Sequence, residues 1–167
     1  MCASTGAERR GFLAAVAVAG CLYRAGWATL AAACWPRLSL AQLRRGERDR
    51  RTLEKFGFYE IAPAAPRCWI HACSVGEVGV ALRCIAALRA SRPGTVFILT
   101  TGTPEGHALA SARLQPPDHA AWFPFDSRGA ICRAYDRLRP EFVVLVEVEL
   151  WPNHLREAQA RGIPVFA

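Results

Sequence analysis

The sequence predicts an α/β domain with a parallel, Rossmann-like sheet, preceded by an apolar helix at the N-terminus. Three observations lead there. From Cys68 onward, strand-length apolar runs alternate with segments whose apolar residues recur at helical spacing. A β-α-β-α order of this kind implies a mostly parallel sheet covered on both faces. Finally, 167 residues with 52% hydrophobic content can bury one ordinary core, which argues against both a disordered tail and a multi-span membrane protein.

The N-terminal elements come first. Gly11 to Trp35 is apolar and rich in Ala, but Arg24 interrupts it. The 13 uncharged residues from Gly11 to Tyr23 fall short of the roughly 20 that span a bilayer. Residues 1–36 are therefore expected to form a membrane-anchor helix that is tilted or interfacial, with Arg24 snorkelling toward head groups. A helix packed on its own domain is the competing reading. Residues 37–67 form a basic segment and linker. Arg37, Arg44, Arg45, Arg48, Arg50, Arg51 and Lys55 outnumber Glu47, Asp49 and Glu54 there. That excess favours the cytoplasmic side of a membrane and contact with anionic lipid, although a solvated charged helix has the same composition. Ile61 to Arg67, with Pro63 and Pro66, reads as the linker.

Residues 68–167 carry the expected sheet. CWIHAC (68–73) reads as a buried strand, followed by a helix from about Gly76 to Ala90 whose Val78, Leu82, Ile85 and Leu88 share one face. TVFILTT (95–101) is the second strand, and Pro104 starts a helix at a position where proline is tolerated. HAAWFPF (119–125) is the third strand, and a helix over Ser127–Leu138 follows with Asp126 as its cap. EFVVLVEVEL (141–150) is the fourth strand, Pro152 to Ala160 a helix, and Ile163 to Phe166 the start of a fifth strand. The order breaks off one strand into a further unit, so the domain is expected to be incomplete at its C-terminal end.

The formal charge of +7 suggests a polyanionic partner: a nucleic acid, an anionic membrane surface or a phosphorylated substrate. Seven scattered cysteines suit reduced thiols better than a disulfide framework. No CxxC pair occurs, and Cys68 and Cys73 with His71 between them are poorly spaced for zinc, so no metal site is expected. The GxGxxG and GxxxxGK[ST] loops are absent, which counts against an oxidoreductase-like dinucleotide fold. No RNA-binding signature appears either, so the basic charge is not assigned to nucleic acid.

In parallel sheets, ligands gather beyond the carboxyl ends of the strands. Three polar loops fall there: SVGE (74–77), TTGTPEG (100–106) and EVELWPN (147–153). Glu77 has two readings. It is either a first-turn acid stabilised by the helix dipole by roughly 0.3–1 kcal/mol, or a general base that the same dipole keeps ionised and ready to accept a proton. Gly76 lets a substrate approach the backbone, and the helix N-terminal N–H groups can hold an anion beside the acid. Glu147 and Glu149 are expected on one face of a strand, late in an apolar run. Acids there are either paired with basic groups or open to a cleft. Trp151 is either an aromatic wall or core. His71 reads as a satisfied core histidine, and a Cys73–His71 nucleophile pair lacks an orienting third group.

The motifs also resemble a known family. WIHACSVGEV (69–78) is supported in order by KFG (55–57), LTTGTPEG (99–106), FPFD (123–126), EVELWPN (147–153) and GIPV (162–165). Together these resemble the 3-deoxy-D-manno-octulosonic acid (Kdo) transferases of lipopolysaccharide synthesis. The resemblance implies the N-terminal, acceptor-binding domain of a two-domain GT-B glycosyltransferase that needs no metal or other cofactor. The donor would be CMP-Kdo, bound mostly by a second domain beyond this sequence. The acceptor would be a lipid A precursor (lipid IVA), at the cytoplasmic face of the inner membrane. By the same resemblance Glu77 is the general base of an inverting transfer, and Glu147 stabilises the transition state. Ser74, Gly76, Thr101, Thr103, Glu149, Trp151 and Asn153 are then expected to meet substrate. Glu105 departs from the pattern, standing where the family commonly has Thr. The alternative is a non-catalytic remnant that binds membrane or lipid A precursor.

Overall fold

The computed structural model describes residues 18–23, 25–27, 29, 33, 50–61, 66–147 and 151–167. The chain divides into two units, residues 1–47 and residues 48–167. In the first unit the described residues between 18 and 33 are helical, and the rings of Tyr23 and Trp27 meet edge to face at 6.4 Å. Arg24 lies outside the described residues, as do much of the expected anchor and the basic run before Arg50. Among the described residues no helix is long and apolar enough to cross a membrane.

The second unit contains, in chain order, α1 (Arg50–Lys55), β1 (Arg67–His71), α2 (Val75–Ser91), β2 (Val96–Thr101) and α3 (Pro104–Arg113). It continues with β3 (His119–Trp122), α4 (Arg128–Leu138), β4 (Phe142–Leu145), α5 (Pro152–Ala160) and β5 (Val165–Phe166). Every strand pair is parallel, in the order β3-β2-β1-β4-β5. The chain walks outward from β1 to β3, then crosses back to place β4 on the other side of β1. That reversal opens a crevice between the carboxyl ends of β1 and β4, the topological switch point of an α/β sheet.

Strand side chains alternate between two covered faces. Cys68, Ile70, Phe97 and Leu99 pack against Val78, Ala81 and Ile85 of α2 and Ala110 of α3, with Leu82 and Leu88 partly buried at the edge. Trp69, Ile98, Ala121 and Val143 face the other way, onto Ile131, Ala134, Tyr135 and Leu138 of α4 and Ala158 of α5. Trp69 is fully buried, and its Nε1–H donates to Thr100 Oγ1 at 2.8 Å, so the indole leaves no unmet donor.

The packed unit begins well before the change in composition near residue 65. Glu54 of α1 is buried, accepting from Arg50 Nε and from the Trp122 backbone N–H, both at 2.7 Å. Gly57 follows with a φ of +82°, and a Cβ there would lie 2.2 Å from the Ala130 carbonyl oxygen, so only glycine lets α1 turn onto α4. Arg67, expected in the linker, is buried in β1 and donates to the carbonyls of Arg137 and Leu138 at 3.0 and 2.9 Å. It answers the open end of α4.

The strands are shorter than expected, β3 and β4 most of all. Phe123 N makes the last bond of β3, to Thr101 O at 3.0 Å. Pro124 has no N–H, and Phe125 N turns away to Lys55 O at 2.8 Å. β4 ends at Leu145, and Val146 N closes on His71 O at 3.0 Å as β1 bends into the next loop. Glu147 therefore stands past the sheet, not within a strand, and Glu149 lies outside the described residues.

Asp126 also differs from expectation. Ser127 caps α4, whereas the Asp126 carboxylate accepts from Asn153 N at 3.0 Å and His154 N at 2.9 Å. It caps α5, whose own cap residue, Trp151, makes no side-chain capping bond to the helix. Removing it strands buried N–H groups. Asp126→Ala is expected to cost roughly 1–3 kcal/mol, more than the roughly 1 kcal/mol of Ser127→Ala. Urea midpoints of the two variants check the order, and equal losses would contradict this assignment.

Candidate functional site

The loop from β1 to α2 forms a capping box. Ser74 is the N-cap of α2, with its oxygen accepting from Glu77 N at 3.4 Å. The Glu77 carboxylate reaches back: Oε1 accepts from Ser74 N at 3.1 Å and Ser74 Oγ at 2.6 Å, and Oε2 accepts from Cys73 N at 2.8 Å. A carboxylate offers about four lone-pair positions, so the cap leaves Oε2 able to take one further hydrogen. Val75 and Gly76 are exposed in the first turn, where backbone N–H groups have no partner within the helix. The arrangement combines a fixed, half-buried carboxylate with open donors beside it.

The β2–α3 loop is bonded to the same spot. The Cys73 carbonyl accepts from Gly102 N at 3.2 Å, Thr103 N at 3.3 Å and Thr103 Oγ1 at 3.2 Å. Thr103 also caps α3, accepting from Gly106 N at 3.2 Å. A Cβ at Gly102 would stand 2.4 Å from Cys73 Sγ, so a small residue is needed for the two loops to touch. Gly102→Ala is expected to cost roughly 1–3 kcal/mol by overpacking. The double variant with Cys73→Ala should recover most of that loss, because it removes the clashing sulfur. A double-mutant cycle of melting free energies with no coupling would contradict the contact.

Across the switch point, exposed Glu147 follows β4 directly beyond the Val146–His71 bond. Trp151 is partly buried at the rim, its ring 5.3 Å from Phe123 and edge-on to His71 at 6.4 Å. His71 is a satisfied core residue: its Nδ1 lies 3.0 Å from Thr100 O, and its ring stacks on Phe123 at 3.8 Å. Thr101 is fully buried beneath the loops. Asn153 is buried too, with its amide nitrogen donating to the Asp126 carbonyl, a structural use of that side chain. The structure thus brings Ser74, Gly76, Glu77 and Thr103 to one edge with Glu147 and Trp151 following the adjacent strand, and sets Thr101 and Asn153 inside the fold.

Below this edge His154 is fully buried, stacked on Trp69 at 4.5 Å, with Nδ1 2.7 Å from Tyr135 Oη. Among the described residues, no three His, Cys, Asp or Glu side chains assemble as a metal-binding group. A groove of about 670 Å³ lies elsewhere, lined by Leu53, Phe58, Tyr59, Glu60, Ile61 and Arg137. Among its described lining residues the one carboxylate, Glu60, does not stand at a helix N-terminus as Glu77 does. Sequence reasoning missed Asp126 as the support of the EVELWPN side and Lys55 as a neighbour of Cys73. The only signals were FPFD and KFG, short motifs far from their partners in the chain.

The sequence matches the family model described as 3-deoxy-D-manno-octulosonic-acid transferase (kdotransferase) over residues 50–167. It is 38% identical over 109 residues to the 3-deoxy-D-manno-octulosonic acid transferase of Bordetella pertussis, covering 62% of this chain and 25% of that protein. The Haemophilus influenzae protein of the same name is 32% identical over 117 residues, covering 69% of this chain and 27% of its own. A probable mitochondrial 3-deoxy-D-manno-octulosonic acid transferase of Arabidopsis thaliana is 28% identical over 125 residues, covering 74% and 28%. The chain thus spans about a quarter of the length of the curated relatives it matches. No solved structure matches it significantly. With its parallel sheet and the matched residues from α1 to β5, this chain belongs to the 3-deoxy-D-manno-octulosonic-acid transferase family.

Proposed function

We propose that this domain holds the acceptor in a transfer of Kdo from CMP-Kdo to a lipid A precursor, at the cytoplasmic face of the inner membrane. The observation that carries the reading is the Glu77 carboxylate, fixed at the switch point with one acceptor position left open. In the proposed step the acceptor hydroxyl oxygen attacks the anomeric carbon of Kdo as its proton passes to Glu77. The bond from that carbon to the CMP phosphate oxygen breaks, CMP departs, and the configuration inverts. Glu147 lends negative charge near the developing oxocarbenium centre. The apolar segment before residue 36 and the basic run after it support a membrane-surface location.

The test is a chimera in which residues 50–167 replace the matching region of the Bordetella pertussis relative. The reading expects transfer from CMP-Kdo to lipid A precursor. A folded chimera that binds CMP-Kdo yet neither binds nor glycosylates the acceptor would refute it.

A further inference from the structure

Two loops meet at one peptide group. The unit joining Cys73 to Ser74 turns its carbonyl toward the β2–α3 loop and its N–H toward Glu77. On the carbonyl side, Cys73 O accepts from Gly102 N at 3.2 Å, Thr103 N at 3.3 Å and Thr103 Oγ1 at 3.2 Å. On the other side, Ser74 N donates to Glu77 Oε1 at 3.1 Å. Hydrogen bonds in a chain polarise one another, so donors on the carbonyl strengthen the N–H of the same unit as a donor. The preceding peptide holds the second carboxylate oxygen, with Cys73 N donating to Glu77 Oε2 at 2.8 Å. The aim of Glu77 therefore depends on where the β2–α3 loop holds the Cys73 carbonyl.

Of these three donors to Cys73 O, only Thr103 Oγ1 belongs to a side chain. Thr103 is half-buried, and a hydroxyl has a single hydrogen, here committed to that carbonyl. The same oxygen accepts from Gly106 N at 3.2 Å as the N-cap of α3. One hydroxyl thus joins the start of α3 to the turn that opens α2. The approach is close. A Cβ on buried Gly106 would stand 3.0 Å from Thr103 Oγ1 and 3.3 Å from Cys73 O, so a side chain there would press α3 away from the peptide.

We propose that Thr103 is a positioning residue for Glu77, acting through the Cys73–Ser74 peptide and not through contact with substrate. The assignment rests on the acceptor-side reading above. A misplaced base slows the chemical step and leaves substrate affinity largely intact. Displacement by roughly 1 Å at a reacting group costs up to roughly 10²-fold in rate. Loss of the hydroxyl releases one of three bonds to Cys73 O, so a smaller effect is expected here.

The test measures kcat and KM in the transferring chimera for Thr103→Val, Thr103→Ser and Ser127→Ala, with urea midpoints showing that each variant folds. Valine keeps the shape of threonine but loses both hydroxyl bonds, whereas serine keeps both. Ser127→Ala removes the equivalent cap of α4 and serves as the control for lost capping alone. Thr103→Val should lower kcat roughly tenfold with KM little changed. Thr103→Ser should restore kcat to within a few-fold, and Ser127→Ala should leave it near normal. In the labelled 167-residue chain, the Ser74 amide signal should move in Thr103→Val and return in Thr103→Ser. Normal kcat in folded Thr103→Val, a raised KM with kcat kept, an equal kcat loss in Ser127→Ala, or a Ser74 signal that stays fixed would each overturn the proposal. If Thr103→Val transfers Kdo as fast as the unsubstituted chimera, this inference alone falls. If the Ser74 signal responds but the unsubstituted chimera binds CMP-Kdo without using acceptor, the acceptor-side reading falls, and the link from Thr103 to Glu77 is structural only.

Discussion

Glu77→Gln in the transferring chimera is expected to lower kcat by roughly 10²–10⁴-fold while leaving acceptor affinity within a few-fold. Glutamine keeps the shape but cannot take the acceptor proton. It also cannot keep the whole cap: one terminal atom becomes an NH₂ group, which faces either the Cys73 N–H or the Ser74 donors. A stability loss of roughly 1 kcal/mol or more should accompany the rate loss. The two effects separate by temperature. Well below the melting transition the chimera is fully folded, and a purely structural Glu77 predicts near-normal turnover there. Persistent loss of kcat with KM little changed assigns the carboxylate to the chemical step. Recovery of the rate at low temperature returns Glu77 to the capping box alone.

The native state should weaken as pH falls from about 6.5 to 4, with His154 as a main cause. Burial, and then the neighbouring His71, push its pKa down from 6.5 to about 4. Because the folded value lies below the unfolded one, the contribution is complete above pH 6.5. It is lost progressively as pH drops toward 4, below which it stays flat. The loss amounts to roughly 2 kcal/mol at pH 5 and roughly 3 kcal/mol at pH 4. The physical reason is the setting. Nδ1 has Tyr135 Oη, but Nε2 is buried with no hydrogen-bond partner among the described residues, so a second proton would place an unsolvated charge among Trp69, Phe123 and Tyr135. Urea midpoints between pH 7 and 5 should fall in the natural protein and stay much flatter in His154→Phe. Parallel slopes would show that the titrating group lies elsewhere.

The local features of this fold were legible where cause and effect lie close in sequence. Glu77 falls in the first turn of α2 and Pro104 starts α3, both as expected, whereas the Ser74–Glu77 capping box emerges only in the structure. The apolar face of α2 was equally plain, because Val78, Leu82, Ile85 and Leu88 fall at helical spacing. What failed were dependencies across the chain. Asp126 sits next to α4 in sequence but caps α5, because the loop after β3 passes beside the start of α5. The segment around α1 has the composition of a charged linker. Its place in the domain depends on Glu54 meeting a backbone N–H 68 residues away. Glu147 was expected inside a strand because the apolar run continues past Leu145, yet a strand ends where its partner turns away, and β1 turns at His71.

The site shows the same division. The three loops beyond the strand ends were readable from alternation alone. That Cys73, through its N–H and carbonyl, ties Glu77 to Gly102 and Thr103 was not, since backbone groups leave no trace in the sequence.

In the proposed transfer, substrate meets this domain at the Ser74–Glu77 helix end. The most direct measurement is an NMR titration of the labelled chain with a water-soluble, deacylated, phosphorylated glucosamine disaccharide. Saturable shifts of the Ser74, Val75, Gly76 and Glu77 amides are expected. Amides 74–77 that stay fixed while signals elsewhere saturate would contradict it.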